Sequence, residues 1–205
     1  TVKLAKKHKV EVGSHPGLPD LLGFGRRAMN VTPEDAHAYV VYQTGALQAA
    51  LRVHGMRLHH IKPHGAFYSI LRTDGALADA VADAIAEISD TPILYWPAPT
   101  DAGLPSAAKK KGIRVVGEIY PDLIYAPDGS LILQRSKHET DTEFAAAQVK
   151  RFVETGKVEA NDGSLIELDA ESICIHGDGP NATAVGDSVR DMLAQIGCDI
   201  SPVMA

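Results

Sequence analysis

The sequence has few cysteines, few aromatic residues and no long apolar run. Two of its 205 residues are cysteine, Cys174 and Cys198, and neither lies in a spacing typical of metal ligands. This predicts a reduced, cytoplasmic protein without structural disulfides. No apolar run approaches the roughly 20 residues that a membrane span needs, and nothing resembles a signal peptide, so we expect no membrane segment.

The sequence also lacks an excess of positive charge. The net charge is -6 at pH 7, and lysines and arginines form no stripe, which argues against nucleic acid as the main partner. No phosphate-binding loop of the form GxxxxGK(S/T) is present, so no motif places ATP on this chain. With 45% hydrophobic and 22% charged residues, the composition is that of an ordinary globular protein.

Short apolar runs alternate with helical segments along the chain. Continuous apolar runs suit strands that are buried on both faces of a parallel sheet. Five such runs cover residues 10–12, 58–61, 93–95, 113–116 and 172–175. Capping residues and helical spacing predict helices after Thr32, after Asp74, and over 104–111, 142–154 and 183–196. A hairpin with its turn at residues 161–163 precedes the last strand. The sequence therefore predicts a single α/β domain over residues 1–205.

Ionisable side chains follow four of the five predicted strands. They are His15, then Lys62 and His64, then Glu118 and Asp122, and finally His176 and Asp178. Because parallel α/β folds place active sites at the carboxyl ends of their strands, we expect these groups to converge on one rim. Capping or turn roles would account for each residue singly. Because ionisable side chains follow four separate strands, the pattern favours a catalytic site over independent capping roles.

A glycine-rich loop connects the first strand to two adjacent arginines. An arginine fork binds a carboxylate through two hydrogen bonds, so we predict that Arg26 or Arg27 binds a small anionic substrate. Glycines beside the histidines, Gly65 and Gly177, would let a ligand approach the backbone and are predicted to contribute to substrate binding.

Three motifs together resemble the LamB/YcsF family of 5-oxoprolinase A subunits. They are GSHPGLPDLLGFGRR at 13–27, IKPHGAFY at 61–68 and CIHGDGP at 174–180. The resemblance implies an irregular (β/α) barrel of the glycoside hydrolase/deacetylase type, seven-stranded in the family, of which about five strands are present here. It further implies ATP-dependent opening of 5-oxoproline to glutamate, together with B and C subunits. ATP would bind at an unrecognised site or on those partners.

The implied substrate suggests roles for the strand-end residues. Lys62 would stabilise the developing charge on the lactam carbonyl oxygen. One histidine among His15, His64 and His176 would activate water. Asp178 would orient His176, and Glu118 is a further catalytic candidate.

The sequence departs from the family pattern in two places. An acidic first strand of the form DLNCDLGE and a GFHAGD-like motif are not present, so we expect an N-terminally incomplete domain. Leu123 stands where the family has an arginine, which leaves Arg135 to supply positive charge from that loop. The sheet edges left open by missing strands predict a homo-oligomer.

Two other functions fit the same residues. Histidines and carboxylates at strand ends would also suit a metal-dependent, deacetylase-like hydrolase with a divalent metal. A shortened barrel would suit a non-catalytic binding or scaffold subunit.

Overall fold

The computed structural model describes residues 1–90, 92–132 and 138–204. Contacts divide the chain into two compact units. Unit 1 comprises Thr1–Trp96, Thr100–Val116 and Met204, and unit 2 comprises Pro97–Pro99 and Gly117–Val203. The predicted α/β class is confirmed, since helices alternate with strands of a parallel sheet. The single domain over residues 1–205 stays a prediction.

Helices and strands alternate along most of the chain. The helices are α1 Val2–Lys7, α2 Pro33–Val53, α3 Ala66–Thr73, α4 Gly75–Ile88, α5 Leu104–Lys110, α6 Thr142–Thr155 and α7 Ala182–Gln195. The strands are β1 Ile93–Pro97, β2 Arg114–Ile119, β3 Ile124–Tyr125, β4 Leu131–Ile132, β5 Lys157–Glu159, β6 Leu165–Glu167 and β7 Ser172–Ile173. A three-stranded sheet has the order β1-β2-β7.

In place of the first two predicted strands, the structure has isolated parallel bridges that are flanked by backbone hydrogen bonds. Ser14 pairs with Ile61, and Ile61 pairs with Leu94, both in parallel. Each bridge is followed two residues later by a proline, Pro16 or Pro63. Proline has no N–H to donate to a ladder, yet one further hydrogen bond joins the segments here, from the amide of His64 to the carbonyl oxygen of Pro16 at 2.9 Å. The predicted strands at 10–12 and 58–61 are therefore corrected to these bridges.

Unit 1 is held by helices packed around an alanine-rich core. Thr32 caps α2 by accepting from the amide of Asp35, and Asp74 caps α4 through the amides of Ala76 and Leu77, as the sequence predicts. The core includes residues from the strand segments and from α2 to α5, among them Val40, Ile61, Phe67, Leu94, Trp96 and Leu104. The short helix α3, directly after the PHG motif, was not predicted.

Unit 2 packs α6 and α7 on two small hairpins. The predicted turn at 161–163 connects β5 to β6 and is confirmed. A second hairpin, β3–β4, was not predicted, and its turn is closed by Asp128, which accepts from the amide of Ser130. The core includes Ile119, Tyr125, Val149, Val189 and Leu193. Arg135 lies outside the described residues.

Two further expectations from the sequence concern membrane-spanning segments and disulfide bonds. No helix within the described residues is long and apolar enough to cross a membrane. The two cysteines, both described, are not joined by a disulfide.

Candidate functional site

Two of the predicted histidines meet in unit 1. The bridge between Ser14 and Ile61 sets two chain segments side by side, and His15 and His64 follow them. His15 Nε2 lies 3.1 Å from His64 Nδ1. On the outer sides, His15 Nδ1 lies 2.5 Å from the carbonyl oxygen of Lys62, and His64 Nε2 lies 2.7 Å from that of Phe24. The structure thus brings His15, Lys62 and His64 into one cluster.

Glycines let the loop pack directly on the His64 ring. A Cβ at Gly25, whose φ is +66°, would lie 2.9 Å from His64 Cδ2, and one at Gly17 would lie 3.3 Å away. At Gly65, whose φ is +53°, a Cβ would meet the carbonyl oxygen of Gly25 at 2.7 Å. The space beside Gly65 is therefore filled by protein backbone. The approach of a ligand to the backbone of Gly65 stays a prediction.

The two arginines of the loop have different surroundings. The Nε of Arg27 lies 3.0 Å from both carboxylate oxygens of buried Asp20, and its Nη2 also donates to Asp20. The hydrogen bonds from Arg27 lower the pKa of Asp20 to about 2. Arg26 instead places its guanidinium carbon 5.2 Å from the centroid of the Phe24 ring, a cation–π distance. Arg27 thus holds the loop through Asp20, and the binding of a substrate carboxylate by Arg26 or Arg27 stays a prediction.

A second pair of rings, His60 and Tyr95, lies in unit 1. His60 stacks on Tyr95 with centroids 4.1 Å apart, and its Nδ1 lies 2.9 Å from His59 Nδ1. A Cβ at Gly13 would overlap the His60 ring at 2.1 Å, so the chain needs glycine there. Burial, followed by the nearby charges of His59 and Lys62, lowers the pKa of His60 to about 4. His60 is therefore neutral at pH 7.

Glu118 belongs to a buried hydrogen-bonded group in unit 2. It is 3% exposed and accepts from the hydroxyl of Tyr120 at 2.9 Å. Ser172, its register partner on β7, has its hydroxyl oxygen 3.4 Å from the other carboxylate oxygen. Burial, together with Glu118, raises the pKa of Tyr120 well above its usual value. Such enclosure favours a structural role for Glu118 over the predicted catalytic one.

His176 is oriented by the carboxylate of Asp122. Asp122 Oδ2 accepts from the backbone amide of His176 at 2.8 Å and lies 2.9 Å from its Nδ1. The Asp122 side chain is only 6% exposed, whereas Asp178 is exposed. Because a carboxylate only accepts, Nδ1 carries the hydrogen and Nε2 remains the proton-accepting nitrogen. Asp122 thus holds the orienting position beside His176, and the orienting role predicted for Asp178 stays a prediction.

Gly177 in unit 2, the other glycine predicted to contact a ligand, has more open surroundings than Gly65. A Cβ at Gly177 would meet no atom within 4 Å. This open space is compatible with the predicted approach of a ligand to the backbone. The expectation that His176 joins the histidines of unit 1 at one rim stays a prediction.

Sequence reasoning missed several residues that hold these clusters. Asp20 stands in a PDLLG turn, which signals a loop but not an ion pair. Gln43 of α2 bonds both the amide and the carbonyl of Gly17, at 3.0 and 2.9 Å, and no local pattern marks it. Within the described parts of the chain, no group of three or more histidine, cysteine, aspartate or glutamate side chains is placed to hold a metal ion.

Comparisons with known proteins agree with one another. The LamB/YcsF family matches residues 1–205. A protein of Shouchella clausii, named as the A subunit of 5-oxoprolinase, is 40% identical over 98% of this chain and 79% of its own length. One of Thermus thermophilus with the same name is 44% identical over 97% of this chain and 80% of its own length. The crystal structure of a lactam utilization protein from Thermus thermophilus is similar with a TM-score of 0.87, at 42% identity, over 97% of this chain and 79% of that one.

Proposed function

The chain belongs to the LamB/YcsF family, and we propose that it is the A subunit of a 5-oxoprolinase. That enzyme would open the lactam of 5-oxoproline to give glutamate. The observation that carries the proposal is the 40–44% identity, over nearly the whole chain, to proteins named as A subunits of 5-oxoprolinase. Since those relatives are named as subunits, we propose that this chain works with B and C subunits. ATP as co-substrate is proposed from the family resemblance of the sequence motifs alone.

In unit 1, the residues suit recognition of a small cyclic anion. Arg26 is assigned to the substrate carboxylate, because Arg27 is engaged by Asp20. Lys62 is assigned to the lactam oxygen, where an ammonium stabilises developing negative charge. Its backbone is held by the bond from its amide to the Ser14 carbonyl at 2.9 Å, which supports a defined position for this residue.

In unit 2, His176 is assigned as general base. The hydrogen bond from its Nδ1 to Asp122 keeps one tautomer, and the carboxylate stabilises the imidazolium that forms when Nε2 takes a proton from water. We assign no catalytic role to Glu118 or Asp178.

The cellular setting follows from the same proposal. We place the enzyme in the reduced cytoplasm, because its two cysteines are not joined by a disulfide.

The direct test is glutamate release from 5-oxoproline and ATP, with and without candidate B and C subunits. We expect turnover by the assembled complex and little by this chain alone. Lys62→Ala should abolish turnover of the complex, whereas Lys150→Ala, on the exposed surface of α6, should not. Robust ATP-dependent turnover by the isolated chain, or near-normal turnover with Lys62→Ala, would contradict these assignments.

A further inference from the structure

The hydrogen bond to Asp122 fixes the ring of His176 at one nitrogen only. Asp122 Oδ2 lies 2.9 Å from His176 Nδ1 and accepts from the backbone amide of His176 at 2.8 Å. An acceptor at Nδ1 selects the tautomer, but the ring torsion of histidine is broad, so the imidazole can still swing about that hydrogen bond. The His176 side chain is 26% exposed, which gives it room to turn. A second contact is needed to fix the direction of Nε2.

The ring of Tyr120 supplies a contact beside this imidazole. Its centroid lies 5.6 Å from that of His176, with the two ring planes inclined at 35°, which is a separation at which aromatic rings attract one another. Tyr120 is 3% exposed and belongs to the hydrophobic core of unit 2. His176 therefore has a carboxylate at one nitrogen and a buried aromatic ring at its side.

Three hydrogen bonds hold Tyr120 in place. Its hydroxyl donates to Glu118 Oε2 at 2.9 Å, and its amide donates to the hydroxyl oxygen of Tyr125 at 2.8 Å. Its carbonyl oxygen accepts from the amide of Leu123 at 3.2 Å. Burial, followed by the nearby charge of Glu118, raises the pKa of Tyr120 well above its usual value, so the hydroxyl keeps its hydrogen and remains a donor. Tyr120 is thus a fixed surface against which the imidazole of His176 packs.

We propose that Tyr120 is a positioning residue for His176, because its buried ring limits the swing of the imidazole and keeps Nε2 in one direction. A base acts efficiently only when its accepting atom is held in the geometry of proton transfer, and neighbours locked by packing and hydrogen bonds supply that geometry. The catalytic consequence rests on the proposed function, in which His176 is the general base, whereas the fixed orientation of the ring does not. Glu118 contributes indirectly, by binding the Tyr120 hydroxyl.

Three substitutions separate the Tyr120 ring from its hydroxyl and from core packing in general. Tyr120→Leu removes the aromatic ring beside His176. Tyr120→Phe keeps that ring and the two backbone hydrogen bonds, and loses only the bond to Glu118. Phe152→Leu removes a ring of α6 that packs on the same core, so it is the matched control for the loss of aromatic packing.

The first measurement is NMR of the full chain, labelled at histidine and tyrosine. In the original chain, we expect the ¹⁵N signals of a single His176 tautomer and nuclear Overhauser contacts between the Tyr120 and His176 rings. Tyr120→Leu should shift the His176 signals towards those of exchanging tautomers, whereas Tyr120→Phe and Phe152→Leu should leave them unchanged. Unchanged His176 signals in folded Tyr120→Leu would overturn the proposal. If Tyr120→Leu does not fold, the contacts in the original chain decide, since their absence overturns the proposal and their presence supports it.

The second measurement is turnover of 5-oxoproline by the assembled complex. Tyr120→Leu should lower kcat at least about tenfold and change KM less than about twofold, because a displaced base slows the chemical step without altering substrate binding. Tyr120→Phe and Phe152→Leu should keep kcat within about threefold of the original value. An equal loss of kcat with Phe152→Leu would show a merely structural role and overturn the proposal. A complex without any turnover would contradict the proposed function and leave the NMR result standing, so the two failures are distinguishable.

Discussion

The histidine clusters of the two units are oriented by different kinds of acceptor. In unit 1, the outer nitrogens of His15 and His64 face backbone carbonyls, and glycines bring the loop against the rings. In unit 2, Nδ1 of His176 faces the carboxylate of Asp122. A carbonyl selects a tautomer, whereas a carboxylate also stabilises an imidazolium. The first arrangement therefore suits holding a ligand, and the second suits proton transfer.

The two units also differ in how deeply the residues around these clusters are buried. The loop of unit 1 exposes Leu21 and Leu22 almost completely, at 96% each, so core packing contributes little at its tip. Glu118 in unit 2 is 3% exposed and is enclosed by hydrogen-bonded neighbours. The unit 1 loop must therefore be held by backbone geometry and a few polar contacts, which makes those contacts the places to test.

The largest effect is expected from Gly65→Ala. Its backbone, with φ +53° and ψ -126°, disfavours any side chain, and a Cβ would lie 2.7 Å from the Gly25 carbonyl. We expect the free energy of unfolding in urea to fall by about 3 kcal/mol. Gly177→Ala is the matched control, because a Cβ there meets nothing, and it should change stability by less than about 0.5 kcal/mol. If both substitutions lowered the free energy of unfolding equally, the close backbone packing at Gly65 would not distinguish the loop of unit 1 from unit 2.

The contrast in acceptors is tested by Asp122→Asn. An amide in place of the carboxylate cannot stabilise the imidazolium, so turnover of the assembled enzyme should fall about 100-fold. Asp178→Asn should leave turnover within about twofold of the original enzyme. A pH–rate profile should accompany both variants, since a purely structural role for Asp122 would lower the rate without altering the profile. Unchanged turnover with Asp122→Asn would refute His176 as the base.

His60 should make the stability of the chain depend on pH. Burial and His59 lower its pKa from 6.5 to about 4, so between these values the unfolded chain binds more protons at this site than the folded chain does. Stability therefore falls as the pH drops, by roughly 2 kcal/mol between pH 7 and pH 5. Urea unfolding of His60→Gln should show a shallower pH slope, while His8→Gln should keep the original one. An identical slope for His60→Gln would contradict the assignment.

The smallest effect is expected from the Asp20–Arg27 pair. Its hydrogen bonds lower the pKa of Asp20 from 3.8 to about 2, so the stabilisation is complete above about pH 4 and is lost as the pH falls towards 2. Asp20→Asn should lower the urea midpoint at pH 7 modestly, and the difference from the original chain should narrow below pH 4. A difference that stays constant down to pH 2 would show that the carboxylate charge is not what holds the loop.

Local sequence patterns were sufficient to predict most of the secondary-structure elements and to identify the family. Thr32 and Asp74 cap their helices as predicted, and the turn at residues 161–163 connects the expected hairpin. These features depend on neighbours in the chain, which is why the sequence alone reveals them. The first two predicted strands form isolated bridges instead, since their pairing depends on partners that are distant in the sequence.

The sequence by itself determined which chemical groups stand at the strand ends, whereas only the tertiary structure decided which of them act on each other. Asp178 is two residues from His176 and is the carboxylate nearest to it along the chain. The parallel register instead pairs Ile119 with Ile173, so Asp122 and His176, each three residues further on, meet at 2.9 Å. In the same way, the bridge of Ser14 to Ile61 sets His15 beside Lys62. Strand register depends on packing over the whole sheet, and no local pattern of residues encodes it.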